Sequence, residues 1–172
     1  AYVTARILLD ELRAEALSFL GVAEESTQPE MDEYYPKALA AFIDKGIELE
    51  MLDPKLKEYD LAKLGAAIEA ERDYKFTYLG LQTLYDRYFI HSQDIRYELP
   101  QIFFMRVAMG LAAEESQKEE RAIEFYRLLS SFDYMSSTPT LFNSGTLRPQ
   151  LSSCYLTTCL LYTSPSPRDI GE

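Results

Sequence analysis

The residues best suited to chemistry lie in one stretch, Ser136 to Thr158, with the sequence SSTPTLFNSGTLRPQLSSCYLTT. It holds Cys154, preceded by Ser153, and upstream of them Thr138, Thr140, Asn143, Ser144 and Gly145. Hydroxyls, an amide and exposed backbone N–H groups can hold a polar or anionic ligand, although most loops of this composition are simply turns. Residues Leu151 to Thr157 alternate as a strand would, with Ser152, Cys154 and Leu156 on one face. A thiol near a strand start can be a reagent or a small buried hydrophobe, and residue type alone leaves both open. A cysteine protease lacks a His partner here, because His91 is the single His and reads as a surface residue. A serine hydrolase lacks its G-x-S-x-G elbow.

The elements that must position this stretch are helical. Ala5, Leu8, Leu9, Leu12, Ala16, Phe19 and Leu20 share one face of a helix over 4–20, which Gly21 closes with a left-handed cap. Residues 23–33 read as an acidic loop, and Pro36 as the first turn of a helix carrying Leu39, Phe42, Ile43 and Ile47. Asp53-Pro54 breaks that pattern, and Asp60 is placed to cap a helix containing Leu61, Leu64 and Ile68. A polar connection over 72–76 leads to a helix striped by Tyr78, Leu81, Leu84, Tyr85 and Tyr88, which reads as core. Residues 91–98 read as a loop or short hairpin. Pro100 starts an apolar helix with Phe103, Phe104, Val107, Ala108 and Leu111, and a last long helix over 119–131 turns Ala122, Tyr126 and Leu129 inward. The strand over 151–157 needs a sheet that the rest of the chain does not offer.

Composition narrows the function classes. The chain has 172 residues, 47% hydrophobic and 26% charged, with a formal net charge of −11 from 28 acidic and 17 basic residues. That is one globular domain without the basic stripe that grips a nucleic-acid backbone, so the acidic faces read as solvated. No apolar run approaches a membrane span. Two cysteines make no disulfide framework and fit a reducing cytoplasm, and one His with scattered carboxylates predicts no metal site. The chain starts at Ala1 already in a helical pattern, which predicts an N-terminal truncation. From Cys159 the sequence CLLYTSPSPRDIGE continues no pattern and looks like a non-native read-through tail, so residues 159–172 are set aside from fold and site.

The run STPTLFNSGTLRPQLSSCYL resembles the signature T/S-P-T-L-F-N-x-G-T-x-R-P-Q-L-S-S-C of class I ribonucleotide reductase large, catalytic subunits. YLGLQTLYDRYFI, ELPQIFFMRVAMGLA and AIEFYRLLSSFDYMSSTPTL are similar to that family's N-terminal helical region, and YVTARILLDELRAEAL resembles the closing helix of its ATP-cone. The resemblance implies a mainly α chain: residues 1–20 closing a truncated ATP-cone, 21–135 forming the helical region, and 136–158 forming a substrate loop and the first strand of a ten-stranded α/β barrel that is itself absent. It implies that Cys154 is the reducing thiol that helps remove the ribose 2′-hydroxyl as water and ends in a disulfide with a later cysteine. Ser153 and Thr138 would be substrate contacts. The intact parent would reduce ribonucleoside diphosphates by thiyl-radical chemistry. Its radical would come from a small subunit carrying a metal centre, its effectors would be ATP and dNTPs, and thioredoxin or glutaredoxin would return the electrons. The parent is expected to be a homodimer. The partner cysteine, the radical cysteine and their assisting Asn and Glu lie beyond this chain in the family, so this chain alone is expected to be inactive and to carry no cofactor. The rivals are an acidic all-α interaction module without chemistry, and an anaerobic or adenosylcobalamin-dependent reductase.

Overall fold

The computed structural model describes residues 2–154. Among them are seven α-helices, three short 3-10 turns and one two-stranded hairpin. The helices are α1 (Tyr2–Phe19), α2 (Met31–Glu48), α3 (Leu61–Ala66), α4 (Tyr78–Arg87), α5 (Pro100–Ala112), α6 (Lys118–Ser130) and α7 (Thr138–Asn143). Strands β1 (His91–Ser92) and β2 (Ile95–Arg96) pair antiparallel, His91 opposite Arg96. Gln93 and Asp94 take φ of 48° and 70° between them, as a tight hairpin turn requires.

Helix α5 is the centre. Every residue from Pro100 to Met109 is buried, as expected of a helix apolar nearly all round. Full burial of a side chain such as Phe103 or Phe104 contributes about 2–3 kcal/mol. Along one side runs α6, presenting Ala122, Tyr126 and Leu129, and α2 packs elsewhere through Tyr35, Ala38, Leu39, Phe42 and Ile43. Helix α1 lies on α4 and the hairpin and buries Ala5, Leu9, Leu12, Ala16 and Leu17. It ends at Gly21, φ 68°, where the Val22 N–H reaches back to the Leu17 carbonyl at 2.9 Å. Asp60 caps α3 by accepting from the Lys63 N–H at 3.0 Å, and Thr77 caps α4.

The structure departs from the sequence reading at several places, one of them Tyr78 of α4, which is exposed and not core. The acidic stretch 23–33 is not all loop: a 3-10 turn over Gln28–Glu30 runs into α2 at Met31. Pro36 is therefore the sixth residue of α2 and not in its first turn. The carbonyl it leaves without a donor belongs to exposed Asp32, where water can serve. The connection over 72–76 belongs to a 3-10 turn, Ala70–Lys75, that buries Asp73. The segment after Ser136 is not all loop, since 138–143 forms α7. Finally, residues 151–154 form no strand, and the rest of the expected strand lies outside the described residues. A strand needs a neighbour for its ladder, and the only sheet among the described residues is the two-stranded hairpin, which pairs with itself.

A polar network runs through the core. The Asp73 carboxylate accepts from Tyr35 Oη and from Gln101 Nε2, both at 2.8 Å. Tyr126 Oη donates to Gln101 Oε1 at 2.8 Å. Buried Arg13 donates to Asp10 at 2.8 Å and to Gln28 Oε1, and Gln28 in turn donates to the Ala70 carbonyl at 2.7 Å. The network joins α1, α2, α5 and α6 around one carboxylate. At the corner after α6, Phe132 takes φ of 65° and sets its ring edge-on to Phe76 and Phe104, with centroids at 5.1 and 5.8 Å.

Candidate functional site

Helix α7 has six residues, too few to persist without tertiary support. Pro139 in its first turn suits a helix start, and the Leu141 N–H reaches the Ser137 carbonyl at 3.1 Å. Its far end is buried. Leu141 packs inward, and Ser144 Oγ donates to the Val107 carbonyl on α5 at 2.7 Å. Gly145, φ 75°, lies directly against Gly110 of α5, so a Cβ at position 110 would stand 2.7 Å from the Ser144 carbonyl carbon and closer still to the Gly145 nitrogen. The Asp53 N–H donates to the Gly145 carbonyl at 3.1 Å, and Leu52 bridges Thr146.

Arg106, on α5 and wholly buried, aims its guanidinium at the same end. Nε donates to Glu98 Oε1 at 2.6 Å and Nη2 to Glu98 Oε2 at 3.3 Å. Nη2 also donates to the Leu141 carbonyl at 3.1 Å, while Nη1 donates to those of Ser144 at 2.7 Å and Phe142 at 3.4 Å. Carbonyls at a helix C-terminus lack intrahelical donors, and here one cation supplies them. Glu98 Oε2 accepts as well from the Ile90 N–H at 2.9 Å.

At the near end, Thr138 is exposed, its Oγ1 3.3 Å from Tyr88 Oη. The Tyr88 ring stacks on Phe142 at 4.5 Å. After the turn at Gly145 the chain runs back along α7. Asn143 Nδ2 donates to the Gln150 carbonyl at 2.7 Å, and Thr140 Oγ1 to the Leu151 carbonyl at 3.2 Å. Pairing 143 with 150 and 140 with 151 directs the return segment toward the end that carries Thr138. Ser153 and Cys154 follow on that segment, both exposed. The thiol is thus not buried among the helices.

Two hollows flank α7. A cleft of about 460 Å³ is walled by Tyr88, Phe142, Asn143, Arg87 and Arg148, with His91, which is exposed, at its edge. A groove of about 450 Å³ is apolar at Leu111, Phe125 and Leu128 and is edged by the hydroxyls of Ser136, Ser137 and Thr140. Neither is lined by Thr138, Ser153 or Cys154. Among the described residues no three His, Cys, Asp or Glu side chains group as a metal site, and no helix is long and apolar enough to cross a membrane.

Sequence reasoning missed Glu98, placed in a polar loop, and Arg106, left out of the apolar stripe. A signal was present: Arg106 is the one charged residue between Pro100 and Ala113. A lone charge inside a helix that must be buried needs a partner. Tyr88 packs against the core as its place in the stripe predicts, and its hydroxyl in addition meets Thr138.

The family profile described as "Ribonucleotide reductase, all-alpha domain" matches residues 74–149. Over 159 residues, 92% of this chain, the sequence is 48% identical to the "Ribonucleoside-diphosphate reductase subunit alpha" of Chlamydia trachomatis serovar D, of which it covers 15%. The protein of the same name from Helicobacter pylori is 39% identical over 91% of this chain and 18% of its own length. The "Ribonucleoside-diphosphate reductase large chain" of Schizosaccharomyces pombe is 33% identical over 92% of this chain and 18% of its own. The chain therefore spans less than a fifth of the length of these relatives.

Proposed function

The chain belongs to the ribonucleotide reductase large-subunit family, and from that premise we propose that it is the helical N-terminal part of a class I ribonucleoside-diphosphate reductase, with Cys154 as a redox thiol. Residues 1–20 then close an ATP-cone, 21–135 form the helical support, and 136–158 carry the substrate segment and lead to a barrel. Thr138 and Ser153 are neutral donors to the substrate. The 2′-hydroxyl of the ribonucleoside diphosphate leaves as water and its carbon gains hydrogen. Two cysteine thiols, Cys154 and one supplied from further along the parent, give up two electrons and two protons and join as a disulfide. A radical generated in a separate metal-containing subunit starts the chemistry, ATP and dNTPs act as effectors, and a thioredoxin or glutaredoxin re-reduces the disulfide. The parent is a cytoplasmic homodimer.

The observation that supports this most is the return of the chain along α7, which brings an exposed Cys154 out toward the Thr138 end. The names of the relatives favour a reductase over a helical interaction module, for which nothing in them speaks. The test is thiol labelling of the full-length large subunit. One turnover without external reductant should leave Cys154 protected, and Cys154→Ser should abolish reductant-dependent turnover while circular dichroism stays unchanged. Equal labelling before and after turnover would sink the redox role.

A further inference from the structure

We propose that Arg106 is a positioning residue for the substrate segment: its guanidinium, held by Glu98, locks the far end of α7 and thereby fixes where the Thr138 end stands. This rests on the function proposed above. A guanidinium has five N–H donors in a rigid plane, and here five contacts engage them: two to Glu98 and three to the carbonyls of Leu141, Phe142 and Ser144. Both partners are fully buried, so neither water nor a counter-ion can replace the other. Helix α7 is roughly 9 Å long at 1.5 Å per residue and behaves as one short rod. A rod held at one end by a planar fork transmits any tilt there to the other end. At that other end the side-chain hydrogen bond of Thr138 among the described residues is the 3.3 Å approach of Tyr88 Oη, and Tyr88 is itself stacked on Phe142 of the same rod. Tyr88 is fixed from outside as well, as the C-cap residue of α4 and edge-on to Phe103 of α5 at 6.3 Å, so a tilt of α7 at its clamped end shifts Thr138 relative to a stationary hydroxyl.

The geometry also separates the fork from the charge. A lysine at 106 would still neutralise Glu98, but its compact ammonium cannot span Glu98 and three carbonyls at once. Replacing both charges with methionine removes the clamp without leaving a buried ion unpaired, a change that cores often tolerate.

The measurement uses the full-length large subunit with its small subunit. Arg106→Lys and the double variant Glu98→Met/Arg106→Met should each raise KM for the ribonucleoside diphosphate by about tenfold with kcat within about threefold, because misplaced binding groups weaken substrate binding first. Amide hydrogen exchange at Ser144 and Thr146 should quicken in both. A wild-type KM in Arg106→Lys would show that the charge suffices and would overturn the proposal. Quickened exchange with an unchanged KM would overturn it too, since the clamp would then hold α7 without serving substrate. Loss of fold in both variants would assign the pair to stability alone and equally overturn it. A wild-type parent without ribonucleotide-dependent turnover would refute the proposed function, and this proposal with it. Turnover in the wild type with KM untouched in the variants refutes this proposal alone.

Discussion

Asp73 shows how a single buried carboxylate ties solvent pH to this fold. Burial pushes its pKa from the ordinary 3.8 up to about 6, and the hydrogen bonds from Gln101 and Tyr35 and the charge of Arg13 only partly offset that. The folded state therefore holds the proton more tightly than the unfolded chain. Its stabilising contribution is complete below the unfolded pKa and is lost as pH rises through about 6. Asp73→Asn can still accept from Gln101 and donate to Tyr35, and it has no such titration. Denaturant melts should show wild type losing stability relative to Asp73→Asn by up to about 3 kcal/mol between pH 3 and pH 7. A pH-independent difference would mean that folding leaves the affinity of Asp73 for its proton unchanged. Little of this was legible in the sequence. Asp73 sits in the polar run Glu71-Arg72-Asp73-Tyr74-Lys75, and its partners Tyr35 and Gln101 are 38 and 28 residues away. Local pattern carries no trace of contacts at such separations. Cys154, Ser153 and Thr138 stood out only through a recognisable motif, and their residue types alone would have left a turn and a small apolar side chain.

Among the elements, those whose reasons are local were legible. Gly21 and Asp60 announce helix ends by their own side-chain chemistry, and the stripes of α1, α5 and α6 appear as expected. Helix α7 was not legible, because Thr, Pro, Asn and Ser spell a loop and the forces that make it helical come from α5. Its seat is tight. Gly110→Ala would drive a methyl into the Ser144–Gly145 backbone, which is pinned on its other side by Asp53 and Leu52. Overpacking of this kind should cost roughly 1–3 kcal/mol and displace α7. Urea denaturation measures the loss, and near-ultraviolet circular dichroism would register the disturbed Tyr88–Phe142 stack. A neutral Gly110→Ala would mean that the two backbones can part freely.

For the whole molecule, the packing around α5 sets a gradient of stability. Amides of Phe103 to Met109 lie in a helix buried on every side, whereas residues 148–150 are exposed and joined to the rest by few hydrogen bonds. Native-state hydrogen exchange should find α5 slowest, near the global unfolding limit, and the amides of Arg148 and Gln150 among the fast ones. Exchange of α5 as quick as that of the surface would contradict a core organised around it. The corner at Phe132 bears on how the molecule is made. A benzyl side chain at φ 65° occupies a backbone region that costs an ordinary residue about 1–2 kcal/mol, so that corner has no reason to form by itself. Its recompense is the aromatic cradle of Phe76 and Phe104, which exists once α5 has docked. Both rings precede Phe132 in the chain, so a ribosome delivers the cradle before the residue that needs it. During synthesis the bend leading to Thr138 is therefore cast on a mould that has already been delivered.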